Sequence, residues 1–233
     1  MVKLVATKSN WLVEASYKLT LQEQRFLLVC IGKLNPFQDC QSKTMTLTAT
    51  EFFESFEDMG RENAERELKK AIDRLWDRSV IVKDPEQTEE FRWIQNKAKY
   101  HKGEARVSVT FSDSVMPYLT QLKGQFTSVV VKNVSSLSSA YSIRVYELLF
   151  RYAKAPKKER YFPLDEFRTL LGIEDKYPQF RDLNRRVITP AVEELNAKSD
   201  LSVRFEAVKQ GRGGKVAGIK FYFSIDKQIR MAV

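Results

Sequence analysis

The stretch Tyr177–Ser199, YPQFRDLNRRVITPAVEELNAKS, reads as one long helix. Phe180, Leu183, Val187, Ala191 and Leu195 recur at helical spacing, which places them on one face. At about 100° per residue, Asp182, Arg185, Arg186 and Thr189 fall on the opposite face. An apolar back and a face with adjacent arginines suit a helix docked on its own domain and pressed against something anionic. A plain solvated amphipathic helix explains the stretch alone equally well, so its surroundings must decide. Pro190 lies inside the pattern, and a proline within a helix removes one hydrogen bond and often kinks it. A bend near Ile188–Thr189 is therefore expected, with the N-terminal half free to follow a curved partner.

Charge is the first of those surroundings. The net charge is +9, and it is unevenly distributed. Residues 1–125 hold 19 Lys/Arg against 18 Asp/Glu, whereas residues 126–233 hold 20 against 12. The basic excess thus surrounds the long helix, which favours a polyanion and nucleic acid before an anionic membrane. No stretch joins clustered Lys/Arg to a lipid-inserting apolar face, and no apolar run reaches the roughly 18 residues of a membrane span. The N-terminus MVKLVATKSNW does not read as a secretory signal. Cys30 falls in an apolar helix pattern and reads as a reduced core thiol, which suits the cytoplasm.

Along the chain, Leu4–Thr7 and Thr44–Leu47 read as short strands. Thr20 with Glu23, and Thr48 with Glu51, have capping-box spacing and open two helices. The first is apolar over most of its surface (Phe26, Leu27, Val29, Cys30, Ile31, Leu34) and reads as central; the second carries Phe52, Phe53 and Phe56. After a turn at Asp58–Gly60, residues 61–78 form a helix with Ala64, Leu68, Ile72 and Leu75 inward. Strands are expected at 80–82, 91–100 and 106–111, with a turn at 101–104, then a short helix over 113–122 and a boundary at Lys123-Gly124. An extended segment at 126–132 precedes a helix capped by Ser138 or Ser139. A basic loop at 155–160, a strand at 161–162 and a short helix 165–171 ended by Gly172 lead to the long helix. Strands 201–208 and 216–225 then flank a Gly-rich basic tip.

The second half repeats the first. Thr46-Leu47-Thr48-Ala49-Thr50-Glu51-Phe52 aligns with Tyr161-Phe162-Pro163-Leu164-Asp165-Glu166-Phe167 at an offset of 115, and the same offset sets Leu68 on Leu183 and Ile72 on Val187. Arg25 pairs with Arg144 at an offset of 119. Each half runs helix, short helix, long helix, hairpin, which is a helix-turn-helix with a wing. The expected fold is α+β, two tandem winged-helix domains over 1–124 and 125–233.

In that architecture the long helix enters a major groove and the wing tip rides the phosphates. Arg181, Arg185 and Arg186 offer planar forks to guanine edges or phosphates, with Asp182 and Thr189 on the same face and Lys176 at its approach. Lys209, Arg212 and Lys215 neutralise phosphates from the wing. Weaker counterparts in the first half are Asn63, Arg66, Lys69 and Lys70, with Lys97, Lys99 and Lys102 near its wing. That helix also carries Glu62, Glu65, Glu67, Asp73 and Asp77, so an intrahelical salt-bridge lattice is the competing reading.

Three segments resemble the theta-type plasmid replication initiators, the Rep proteins that bind iterons. They are Leu19-Thr20-Leu21-Gln22-Glu23-Gln24-Arg25, the more specific Tyr141-Ser142-Ile143-Arg144-Val145-Tyr146-Glu147-Leu148-Leu149, and Phe180–Asn196 with its Arg185-Arg186-Val187-Ile188-Thr189-Pro190-Ala191 step and Glu194-Leu195-Asn196 ending. The resemblance covers nearly the whole chain. It implies sequence-specific binding of origin repeats in double-stranded DNA as a monomer, and homodimers formed mainly through the first domain that repress the initiator's own gene. It further implies recruitment of a host replication initiator and a replicative helicase. Members of the family often extend beyond the position of Val233, so a C-terminal tail is expected to be missing here.

No enzyme is expected, and no cofactor or metal. His101 is the single histidine, so the histidine pair of a rolling-circle nickase cannot be built and no nucleophile–histidine triad is available except through it. Gly211-Arg212-Gly213-Gly214-Lys215 resembles a phosphate loop only faintly, since it lies between strands and lacks the following Ser/Thr. The remaining alternatives are a winged-helix transcriptional regulator with no replication role and, more distantly, a protein-binding scaffold.

Overall fold

The computed structural model describes residues 3–40, 42–56, 60–83, 86–96, 99–101, 105–211 and 214–225. The first half runs β1 (Val5–Ser9), α1 (Asn10–Val13), β2 (Ser16–Tyr17), α2 (Leu21–Gly32), β3 (Thr44–Thr48), α3 (Ala49–Glu54), α4 (Arg61–Leu75), β4 (Ser79–Lys83), β5 (Thr88–Arg92), β6 (Lys99–His101) and β7 (Arg106–Thr110). The second runs β8 (Phe126–Val130), α5 (Ala140–Phe150), β9 (Glu159–Pro163), α6 (Leu164–Leu171), α7 (Phe180–Leu183), a π-helical turn (Asn184–Ile188), α8 (Thr189–Lys198), β10 (Leu201–Lys209) and β11 (Val216–Ile225).

Local chemistry places most of these elements. Both capping boxes form: Thr20 N–H donates to Glu23 Oε2 at 2.7 Å, and Thr48 N–H to Glu51 Oε2 at 2.8 Å, while each threonine hydroxyl accepts the returning N–H. Ser139 caps α5, its hydroxyl accepting from Tyr141 N–H. Gly172 ends α6 at φ 62°, and a Cβ there would lie 2.7 Å from the Tyr17 carbonyl oxygen, so the position also allows close approach to β2. The helix α2 is buried from Glu23 to Ile31 and forms the centre of the first half, with Cys30 a free, buried thiol inside it.

The internal repeat is visible in the sheets. The first wing sheet has the order β3-β7-β6, the second β9-β11-β10, and every pairing is antiparallel. The strand before the helix-turn-helix thus pairs with the last wing strand in both halves. From Thr44 to Glu159, and from Ala49 to Leu164, the separation is again 115 residues. Leu68, Ile72, Leu183 and Val187 are all buried, as the alignment requires. The fold is therefore two tandem winged-helix units.

Three features depart from the sequence reading. The expected strand 91–100 is split: β5 pairs with β4 and β6 with β7, and among the described residues between them the one bridge is Ile94 to Phe111, with Trp93 and Ile94 buried in the core. The expected helix 113–122 contracts to a 3-10 turn at Met116–Tyr118, with Pro117 in its first positions and Ser112 Oγ accepting from Val115 N–H. The turn at 58–60 and the wing turn at 101–104 lie largely outside the described residues. A third sheet, β2-β4-β5, occurs only in the first half, and the antiparallel ladder β1–β8 crosses the Lys123–Gly124 step.

The segments that carry the family resemblance are architectural. Glu194 accepts from Ser138 N–H at 2.7 Å and from its hydroxyl at 2.6 Å, joining α8 to the start of α5. Asn196 donates to the Val203 carbonyl at 2.9 Å and accepts from its N–H at 2.6 Å, acting as a short strand partner for β10. Tyr146 donates to Asp200 Oδ1 at 2.7 Å, and Asn133 to Asp200 Oδ2 at 2.6 Å. Asn196→Ala leaves the N–H and carbonyl of Val203 without these partners, and about 1–3 kcal/mol of stability is expected to be lost in urea unfolding. The same loss is not expected at the neighbouring exposed Ala197 substituted by Ser.

Where the halves meet, charge is buried. Glu147 accepts from Lys8 Nζ at 2.5 Å, from Arg144 Nη1 at 3.1 Å and from the Tyr17 hydroxyl at 3.2 Å. Arg144 also donates to the Tyr17 hydroxyl and to the carbonyl oxygens of Val13 (3.1 Å), Ala15 (3.0 Å) and Leu170 (3.0 Å). Its repeat mate Arg25 is likewise buried and donates to the carbonyls of Ser135 (3.3 Å) and Leu137 (2.9 Å). Burial pushes the Glu147 carboxyl up, but the Lys8 ammonium and Arg144 guanidinium together outweigh it and hold it below the ordinary carboxylate value.

Candidate nucleic-acid interface

The opening stretch folds as a helical run from Phe180 to Lys198 with one irregularity. Pro190 has no N–H to return to the Arg186 carbonyl, and its ring crowds that carbonyl. The disturbance expected at Ile188–Thr189 falls at Asn184–Ile188 as a π-helical turn, the widened form that accommodates such a misfit. Leu183, Val187, Ala191 and Leu195 are buried, and Phe180 packs partly against the core. Ile188 and Val192 are buried as well, which a regular 3.6-residue pattern did not place, because the π turn adds backbone per turn and shifts the phase of the helix C-terminal to it.

The entry to this helix is held from behind. Arg168, in the last turn of α6, donates to the carbonyls of Tyr177 and Pro178, both at 3.1 Å. Tyr177 sits at φ 50°, a left-handed conformation that those bonds help to hold. Neither residue's role was legible beforehand, since their partners are backbone atoms several residues away.

Arg181, Arg185 and Arg186 are exposed on the outward side. Arg185 Nη2 donates to Asp182 Oδ1 at 3.1 Å, and the Arg186 guanidinium lies 6.0 Å from the Tyr177 ring centre. Thr189 is half-buried and donates to Asn184 Oδ1 at 3.1 Å, and Lys176 is half-buried in the preceding turn. Lys209 and Lys215 are exposed at the wing, where the ladder is bulged between Val208 and Lys209; Arg212 lies outside the described residues. Gly211 takes φ 74°, and a Cβ on Gly214 would lie 1.5 Å from the Gln210 carbonyl oxygen, so glycine is required for this reversal.

The first-half counterpart is engaged with itself. Arg66 donates to Asn63 Oδ1 at 2.6 Å and pairs with Glu67 at 3.4 Å, Lys69 pairs with Glu65 at 2.6 Å, and Lys70 with Glu67 at 3.3 Å. Tyr100 on β6 donates to Asp73 Oδ1 at 2.6 Å, strapping the wing to α4. Lys99 is exposed; Lys97 and Lys102 lie outside the described residues. Arg66, Lys69 and Lys70 of α4 thus pair along the helix as the sequence allowed, but as exposed pairs that an anionic partner can replace, and α7–α8 presents Arg181, Arg186 and the Arg185–Asp182 pair outward.

Comparison with known proteins matches both winged halves in order. Residues 5–150 match the family described as Initiator Replication protein, WH1, and residues 163–223 match Initiator Rep protein, WH2. A "Replication initiation protein" of Escherichia coli is 31% identical over 237 residues, covering 98% of this chain and 72% of that protein. An Escherichia coli "PI protein" is 30% identical over 142 residues, covering 55% of this chain and 47% of that one. The crystal structure of Pi initiator protein in complex with iteron DNA superposes with a TM-score of 0.80 at 22% identity, covering 97% of this chain and 98% of that one. With both of its winged halves matched in order, the chain belongs to the Initiator Replication protein family.

Proposed function

We infer that this protein initiates plasmid replication by binding repeated sites, iterons, in the double-stranded DNA of an origin. The observation that carries the reading is the exposed arginine face of α7–α8, with Lys209 and Lys215 exposed at the wing of the same half, in a chain of an initiator family. Arg181, Arg185 and Arg186 enter the major groove, the Arg185–Asp182 pair opening to release the guanidinium. Lys176, Lys209, Arg212 and Lys215 bind phosphates, and Asp182 and Thr189 complete the DNA-facing side of the helix. The second half, 125–233, is the main reader. The first, 1–124, adds auxiliary contacts through Asn63, Arg66, Lys69, Lys70, Lys97, Lys99 and Lys102, and forms the homodimer that represses its own gene. The host initiator and replicative helicase are met in the cytoplasm, and the protein contributes binding rather than bond-breaking.

Nuclease footprinting tests the reading against a regulator with the same fold. Protection of tandem direct repeats in an AT-rich origin is expected; protection confined to one inverted repeat overturns it. In the same assay Lys215→Ala is expected to weaken all sequences alike and to reduce the salt slope by roughly one unit.

A further inference from the structure

The seam between the halves carries a geometric constraint that apolar packing does not supply. The two reading helices, α4 and α7–α8, belong to different winged units. They meet one duplex together only if their separation and phase match the groove repeat, about 34–36 Å per helical turn. The β1–β8 ladder ties the halves together along one edge, and the apolar packing around it has little directionality. A guanidinium fork is directional, because its N–H bonds point in fixed directions. Arg144 aims this fork at three chain segments at once: Val13 and Ala15 before β2, Leu170 at the end of α6, and Glu147 on its own helix. Glu147 in turn takes Lys8 from β1 and Tyr17 from β2. Beside the cluster, Gly172 sets the end of α6 against the Tyr17 backbone so closely that a Cβ has no room.

We propose that the Lys8–Tyr17–Arg144–Glu147 cluster is the positioning device that holds the two reading helices at one separation, and so sets the spacing of the two boxes within a DNA site. The proposal rests on the reading that both halves touch one duplex. Its residues contact no DNA themselves; they act through the placement of α4 and α7–α8.

The test is selection from a library of randomised duplexes several helical turns long, with the full chain as bait. The wild type is expected to recover two boxes at one fixed spacing. Arg144→Lys keeps the charge opposite Glu147 but loses the fork, and it is expected to recover the same boxes over a spread of spacings. Thermal unfolding checks that it is folded. If it is not, Gly172→Ala disturbs the same seam without touching the charges, and the same spread is expected from it. A single fixed spacing from the folded variant overturns the positioning role, since a merely stabilising cluster lowers yield and leaves spacing alone. Recovery of only one box by the wild type instead removes the premise of two readers on one duplex, and with it the proposal.

Discussion

Arg144→Ala is expected to cost about 3–5 kcal/mol of folding stability, the range for removing one partner from a buried ion pair. The side chain is 2% exposed, and so is Glu147. Its loss leaves three carbonyls short of a donor and leaves Glu147 with Lys8 and the Tyr17 hydroxyl alone. Against a typical total of about 5–15 kcal/mol, this is a large fraction, and urea unfolding reads it directly. The pH dependence comes from the direction of the Glu147 shift. Its folded carboxyl titrates below its ordinary value of 4.5, so the unfolded chain takes up the proton first as pH falls. The stability it contributes is full above that value and is lost as pH drops through the folded pKa. The wild-type melting temperature is therefore expected to fall on acidification below about pH 4.5, and less steeply in Arg144→Ala, where the folded carboxyl has lost one of its two cations. An equally steep acid limb in both proteins, measured by circular dichroism, would place the effect elsewhere.

The second large effect is on binding. Arg185→Ala and Arg186→Ala are each expected to cost about 1–3 kcal/mol of specific affinity if they read bases, roughly five- to 150-fold, and the double variant loses more than either. Neighbouring residues do not add independently, so the double variant, not a sum of singles, is the informative measurement. The Arg185–Asp182 pair does not protect against this loss. With side chains 62% and 36% exposed, such a pair is worth under about 1 kcal/mol, and DNA phosphate or a guanine edge readily replaces it. Stability should be unchanged, because neither arginine enters the core. Titration of fluorescent origin duplex that shows wild-type affinity in the double variant would exclude α7–α8 as the reading helix. A protein-binding scaffold predicts that outcome.

Much of the fold was legible because it is written in short-range signals. Thr20 with Glu23 and Thr48 with Glu51 are three residues apart, and a capping box needs nothing further away. Gly172 and the wing glycines mark backbone shapes that side chains resist. The split of the expected 91–100 strand was not legible. Trp93 and Ile94 look like strand residues, and only the core they enter shows that the ladder breaks there. The 3-10 turn at Met116–Tyr118 was misread for a similar reason: a capped apolar run looks the same at one turn as at three.

By itself, the sequence determined the two winged units, their offset of 115 residues, the buried stripe of each long helix and the exposed arginines of the second. Periodicity and caps are local, and the repeat lets one half confirm the other. Tertiary structure alone decided what Arg25, Arg144 and Glu147 do. A charged residue in a helix reads as solvent-facing until distant segments supply its partners, and these come from β1, β2, the end of α6 and the approach to α5. Tertiary structure also decided that Pro190 is absorbed by a π turn, which buries Ile188 beside Val187 and keeps Arg185 and Arg186 outward. A hydrophobic pattern records which side chains avoid water; which carbonyls a guanidinium finds depends on where the whole chain has been folded to place them.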